Sequence, residues 1–156
     1  MSQPLSPETI AIVKATAPAL QAHGEAITTR MYERLFVDPQ IRAMFDQTAQ
    51  ASGEQPRRLA AAILGYAQNI DRLEMMTAPV ARMVRRHVEV GVQPDHYPHV
   101  ANALLPAIRD VLGDAATDVV LQAWGEAYWF LAEILIGEEA ALYRTQDCVS
   151  LSDATV

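Results

Sequence analysis

Apolar residues recur at three- and four-residue spacings along almost the whole chain, and no stretch shows the two-residue alternation of a half-buried strand. That pattern restricts the fold to packed helices, because each segment has one apolar face to bury. Proline and glycine punctuate it. Ser6-Pro7-Glu8 reads as an N-cap with proline at the first helical position. The helix that follows is predicted to run to about His23, bent or interrupted at Pro18. Gly24 breaks the pattern, and a second helix carries Ile27, Met31, Tyr32, Leu35 and Phe36 on one side. Asp38-Pro39 opens a short turn of helix ending near Phe45, and residues 47–53 have the composition of a loop. Pro56 starts a helix with Leu59, Ile63, Tyr66 and Ile70 on one face, and Pro79 opens another through Val84 and His87 to a stop at Gly91. After the turn Gln93-Pro94-Asp95, Pro98 fits the first turn of a helix ending at Gly113, in which Pro106 should produce a kink or a split. Thr117 or Asp118 caps the longest helix, whose stripe is Leu121, Trp124, Tyr128, Leu131, Leu135 and Leu142. About seven helices of unequal length with short joins make an all-α domain over residues 1–146, followed by a polar tail over 147–156. Such lengths do not suit an up-down four-helix bundle but do suit helices packed around a pocket.

The chain has 156 residues, enough for one core without staples. Its formal charge of −7 argues against nucleic acid or an anionic membrane as partner, since both reward clustered Lys and Arg. Cys148 is the single cysteine, so no intrachain disulfide can form, which fits a reducing compartment. The first residues lack the basic and apolar blocks of a signal peptide, and no apolar run approaches the roughly 20 residues of a membrane span. The expectation is a soluble, cytoplasmic protein.

The informative positions are polar residues that helical spacing sets on apolar faces. His87 follows Val80 and Val84 on such a face. Taken alone, a histidine there is more often a hydrogen-bonded core residue than a ligand. Glu139 lies in the stripe between Leu135 and Leu142, and spacing leaves open whether it is buried with a partner or exposed beside Glu138. Tyr32 shares a face with Leu35 and Phe36, Gln55 stands four before Leu59, and Tyr97 lies where a helix begins. Core packing or capping explains each of these singly. Together they describe a site for haem. An imidazole that ligates iron needs its other ring nitrogen anchored, and Tyr97 with Glu139 could supply that anchor. On the other face a diatomic ligand with partial negative charge needs a donor in an apolar pocket. Tyr32 and Gln55 are suitable donors there, and Leu59 and Phe45 suitable walls.

Over residues 6–143 the chain resembles the single-domain bacterial haemoglobins and the globin domain of flavohaemoglobins. The resemblance rests on segments in order, among them Ile27-Thr-Thr-Arg-Met-Tyr-Glu-Arg-Leu-Phe, Gln55-Pro-Arg-Arg-Leu-Ala, Arg86-His-Val-Glu-Val-Gly-Val, His96-Tyr-Pro and Ala123-Trp-Gly-Glu-Ala-Tyr. It implies a globin fold around one haem b, with His87 as the iron ligand and Tyr97 and Glu139 as the pair bonded to it. It implies Tyr32, Gln55, Leu59 and Phe45 on the ligand side, and Arg86 beside a haem propionate. Flavohaemoglobins continue into a flavin- and nicotinamide-binding reductase. This sequence does not, so the resemblance implies a separate reductase. Pro106 and Trp129 depart from the family pattern, and Trp129 leaves core packing or a homodimer contact open, packing being the simpler.

Three functions compete at this stage. The first is reversible dioxygen binding for storage or delivery at a pentacoordinate haem iron. The alternative is a nitric oxide dioxygenase dependent on a separate reductase. A zinc site of His87, His96 and His99 is the third, and it lacks a nearby fourth ligand.

Overall fold

The computed structural model describes residues 5–43 and 54–154, with side chains described as far as Thr145. Among these residues there are six α-helices and two short 3₁₀ turns. They are α1 (Pro7–Leu35), α2 (Pro39–Arg42), α3 (Glu54–Gln68), α4 (Thr77–Val90), α5 (His96–Leu112) and α6 (Asp118–Ala154), with 3₁₀ turns at Leu73–Met76 and Gly113–Ala115. Helix α1 packs against α3, α5 and α6, while α4 and α5 lean on α6.

Helix starts follow side-chain chemistry. The Thr9 backbone N–H donates to Ser6 Oγ at 3.1 Å, and the Gln40 N–H donates to Asp38 Oδ1 at 2.9 Å, so both Ser-Pro and Asp-Pro pairs act as N-caps. Thr117 Oγ1 accepts from the Val120 N–H at 3.3 Å at the head of α6. Gly91 ends α4 at φ 82°, a left-handed conformation that glycine adopts without penalty.

Several expectations require correction. The predicted break at Gly24 is absent, because α1 is one helix of 29 residues running through Pro18 and Gly24. Gly24 is buried, and a Cβ added there would lie 3.4 Å from Ala60 Cβ on α3. The glycine therefore serves a close helix crossing and not a stop. Helix α5 likewise runs through Pro106 without splitting, and α2 is a single turn ending at Arg42. Helix α6 continues to Ala154. Within α6, residues 118–145 are long and apolar enough by length and composition to cross a bilayer, contrary to the expectation that no such run exists. Five residues of the same stretch, Ala123, Trp124, Ala127, Ala132 and Leu135, are buried in the protein, and 28% of its apolar window is buried.

One tie fixes the crossing of α1 and α3. Thr28, 1% exposed, donates from Oγ1 to the Pro56 carbonyl at 2.7 Å, with the Gly24 carbonyl 3.2 Å away as a second acceptor. Thr28→Val removes the donor and keeps the shape. A net hydrogen bond of this kind is worth about 0.5–1.5 kcal/mol. Thermal melting of the variant should therefore fall by roughly 2–4 °C per kcal/mol for a domain of this size, and an unchanged Tm would show that the bond adds nothing.

Candidate functional site

His87 lies in the last turn of α4, where the Val92 N–H returns to its carbonyl at 2.9 Å across the Gly91 turn. Its Nδ1 is 2.8 Å from Glu139 Oε2 and 3.2 Å from the Tyr97 hydroxyl. The Tyr97 hydroxyl in turn lies 2.7 and 2.8 Å from the two oxygens of Glu139. Three helices thus meet at one carboxylate. A carboxylate accepts and the tyrosine proton goes to it, so the proton on His87 Nδ1 is the remaining donor. That places a proton on Nδ1 and leaves Nε2 as the ring nitrogen turned away from the triad. Among the described residues Nε2 has no hydrogen-bond partner, and the His87 side chain retains 28% exposure.

Burial decides the character of this triad. Glu139 is 3% exposed, which removes the solvated alternative that spacing had left open. A buried carboxylate must be compensated, and here Tyr97 and His87 do so. Burial pushes the Tyr97 hydroxyl well above its ordinary pKa, and the bond to Glu139 pushes it further the same way, so it stays a donor. Two further tyrosines hold the frame. Tyr128 donates to the Tyr97 carbonyl at 2.6 Å, and Tyr143 donates to the Val92 carbonyl at 2.9 Å. Helix α6 is thereby fastened to both ends of the turn that follows His87. Neither tyrosine stands out in the sequence as a support, since Tyr128 reads as ordinary packing in its stripe and Tyr143 lies beside that stripe.

The second group of residues lies on α1 and α3. Tyr32 is 5% exposed, and Gln55 Nε2 donates to its hydroxyl at 3.4 Å. Phe36 packs on the Tyr32 ring at 5.4 Å between centroids. Thr28, one turn before Tyr32, holds the carbonyl of Pro56 beside Gln55, so one face of α1 sets both donors. Leu59 is half-buried one turn further along α3. Phe45 lies outside the described residues. Arg86 is exposed on the outer side of α4, 3.6 Å from Glu89, and does not join either group.

These residues fit a haem. The donor set is an imidazole with one nitrogen anchored and the other without a protein partner among the described residues. Apolar side chains border both groups but remain only half-buried: Leu59 and Ile63 against the larger core cluster, Val80 and Met83 against the smaller one. Helices α3 and α4, which carry them, are not a packed pair. No set of three zinc-type ligands occurs among the described residues, and the His96 ring is taken up by the Gln93 N–H at 2.9 Å. Trp129 is 38% exposed and packs edge-on against Tyr128.

Comparison with known proteins agrees with this geometry. A flavohemoprotein of Xylella fastidiosa is 51% identical over 142 residues, which are 91% of this chain and 36% of the relative. The chain thus spans about a third of the length of the curated relatives it matches. Among solved structures, an engineered carbene transferase of Rhodothermus marinus, provisionally named a nitric oxide dioxygenase, superposes with a TM-score of 0.86 at 42% identity, covering 92% of this chain and 99% of that one. A flavohemoglobin of Malassezia yamatoensis with bound FAD and heme gives a TM-score of 0.81 at 36% identity, covering 91% and 38%. The Globin family matches residues 29–135, and with these helices, this crossing and this buried triad the chain belongs to the globin family.

Proposed function

We propose that the protein holds one haem b on His87 and binds dioxygen reversibly on the Tyr32 side. The observation that carries this reading is the His87–Tyr97–Glu139 triad, which ties one ring nitrogen and leaves the other bare. Cys148 is the only cysteine, so the paired thioether links of a c-type haem have no residues to form them, which agrees with a haem held without covalent links, as haem b is. When bound, the haem supplies the iron at which a diatomic gas is held. Tyr32 and Gln55 donate hydrogen bonds to that gas, and Leu59 and Phe45 keep water from it. Glu139 and Tyr97 fix the imidazole plane and increase its donor strength.

A second reading is nitric oxide dioxygenation with electrons from a separate reductase. The charged, buried partner behind His87 favours it, because a stronger donor stabilises the oxidised iron that this chemistry leaves behind. The reduced protein should shift its visible spectrum on adding carbon monoxide. Nitric oxide consumption with a supplied reductant and dioxygen then distinguishes the two roles, and no spectral shift would defeat both.

The proximal carboxylate gives its own expectation. Glu139→Gln keeps size and hydrogen bonding but removes the charge, so the reduction potential should rise and the iron–histidine stretching frequency should fall. Tyr97→Phe should move both the same way. The double variant should show less than the sum, since both act through one imidazole. If neither quantity moves, the triad does not act on the iron.

A further inference from the structure

The protein carries a net charge of −7, yet its cations are unevenly used. Every lysine and arginine of α1, α3 and α5 has an acidic partner. Lys14 pairs with Asp71, Arg30 and Arg34 with Asp110, Arg57 with Glu25, Arg58 with Glu54 and Arg109 with Asp118. Arg72 and Arg144 are single exposed cations without an ion pair among the described residues, but α4 groups its own. Arg82 and Arg85 are exposed on its outer side, and among the described residues neither has an ion pair or a hydrogen bond. Arg86 adjoins them with only a loose contact of 3.6 Å to Glu89. The other exposed positions near the start of α4 are Thr77, Ala78 and Ala81, and the acidic groups nearest in sequence, Glu74 and Glu89, form no ion pair with Arg82 or Arg85.

We propose that this outer face of α4 docks an acidic electron-donor protein. The inference rests on the haem reading above. Arg85 precedes His87 by two residues, so a donor seated on this face is separated from the ligated iron by little more than one helix, about 10 Å thick. One electron leaves the donor and reduces ferric iron to ferrous, with no proton or group transferred. Charge also selects the kind of partner. A broad anionic membrane would be repelled by the rest of a protein at −7, whereas a compact acidic protein can meet Arg82 and Arg85, with Arg86 beside them, and leave most of the acidic surface uncovered. An overall repulsion with one attractive patch orients the encounter, so the patch confers rate and register as well as affinity.

Reduced flavodoxin, an acidic flavin protein, is a suitable probe, with the ferric holoprotein mixed under carbon monoxide in a stopped flow. Arg82→Glu with Arg85→Glu should slow the reaction by about tenfold or more at 0.01 M salt and by less at 0.2 M salt, as screening shortens from about 30 Å to below 10 Å. Binding of oxidised flavodoxin, measured by titration calorimetry, should weaken by a similar factor. Lys14→Glu with Arg109→Glu changes net charge equally but elsewhere, and should cost less than about threefold. The proposal is overturned if the α4 variant keeps the wild-type rate and affinity, or if the control variant loses as much. It is also overturned if only vesicles of anionic phospholipid, and not flavodoxin, distinguish the α4 variant from wild type. An absent carbon monoxide spectrum in the wild type would instead defeat the haem reading itself.

Discussion

His87→Ala is expected to leave a folded protein that does not retain haem. Losing a group behind a metal-bound histidine costs about 10–100-fold in metal affinity, and losing the histidine itself should cost more. No other imidazole replaces it. His96 is engaged by the Gln93 backbone, and His99 is exposed on the first turn of α5. The measurement is haem content after gel filtration, with far-ultraviolet circular dichroism to show that the helices persist. Full occupancy with an unchanged iron–histidine vibration would remove His87 from the role given to it here.

The other large effect is expected on the ligand side. Tyr32→Phe keeps the buried ring and its contact with Phe36 but loses the hydroxyl. A hydrogen bond to a group carrying charge is worth about 1.5–3 kcal/mol, so dioxygen dissociation should quicken by roughly 10–150-fold. Gln55 is close enough to move in, since its amide already reaches the Tyr32 hydroxyl at 3.4 Å. The single variant therefore sets a lower bound, and Tyr32→Phe with Gln55→Leu should dissociate faster still. Stopped-flow off-rates that match the wild type in both variants would show that neither side chain meets the ligand.

The sequence carried most of the fold because helix periodicity and capping are local. Ser6, Asp38, Thr117 and Gly91 signal their turns through hydrogen bonds within four residues, which a reader of the chain can see. Gly24 misled for the opposite reason. Its lack of a side chain answers Ala60 on another helix, and nothing near it in sequence shows that neighbour. Pro18 and Pro106 were expected to disrupt their helices, and both are carried within them. Glu139 shows the same limit at the site. Spacing placed it in a stripe but could not say whether the helix had turned outward, and its partners stand 42 and 52 residues away. The resemblance to haemoglobins named those partners where periodicity could not. Thr28 went unnoticed because a threonine inside a helix is ordinary, and its value lies in a carbonyl 28 residues on.

The distance along the chain between His87 and its carboxylate has a consequence for how the protein comes to be made. Glu139 is added 52 residues after His87, and at about 5–20 residues per second that takes roughly 3–10 s. Throughout that interval a growing chain already possesses Tyr32, Gln55 and the histidine, while the imidazole has no acidic anchor and is free to take either tautomer. Haem captured during synthesis would therefore be held by an unoriented ligand. On the haem reading proposed above, only the arrival of α6 would close the proximal side, so an anchored imidazole waits on that helix and not on His87 itself.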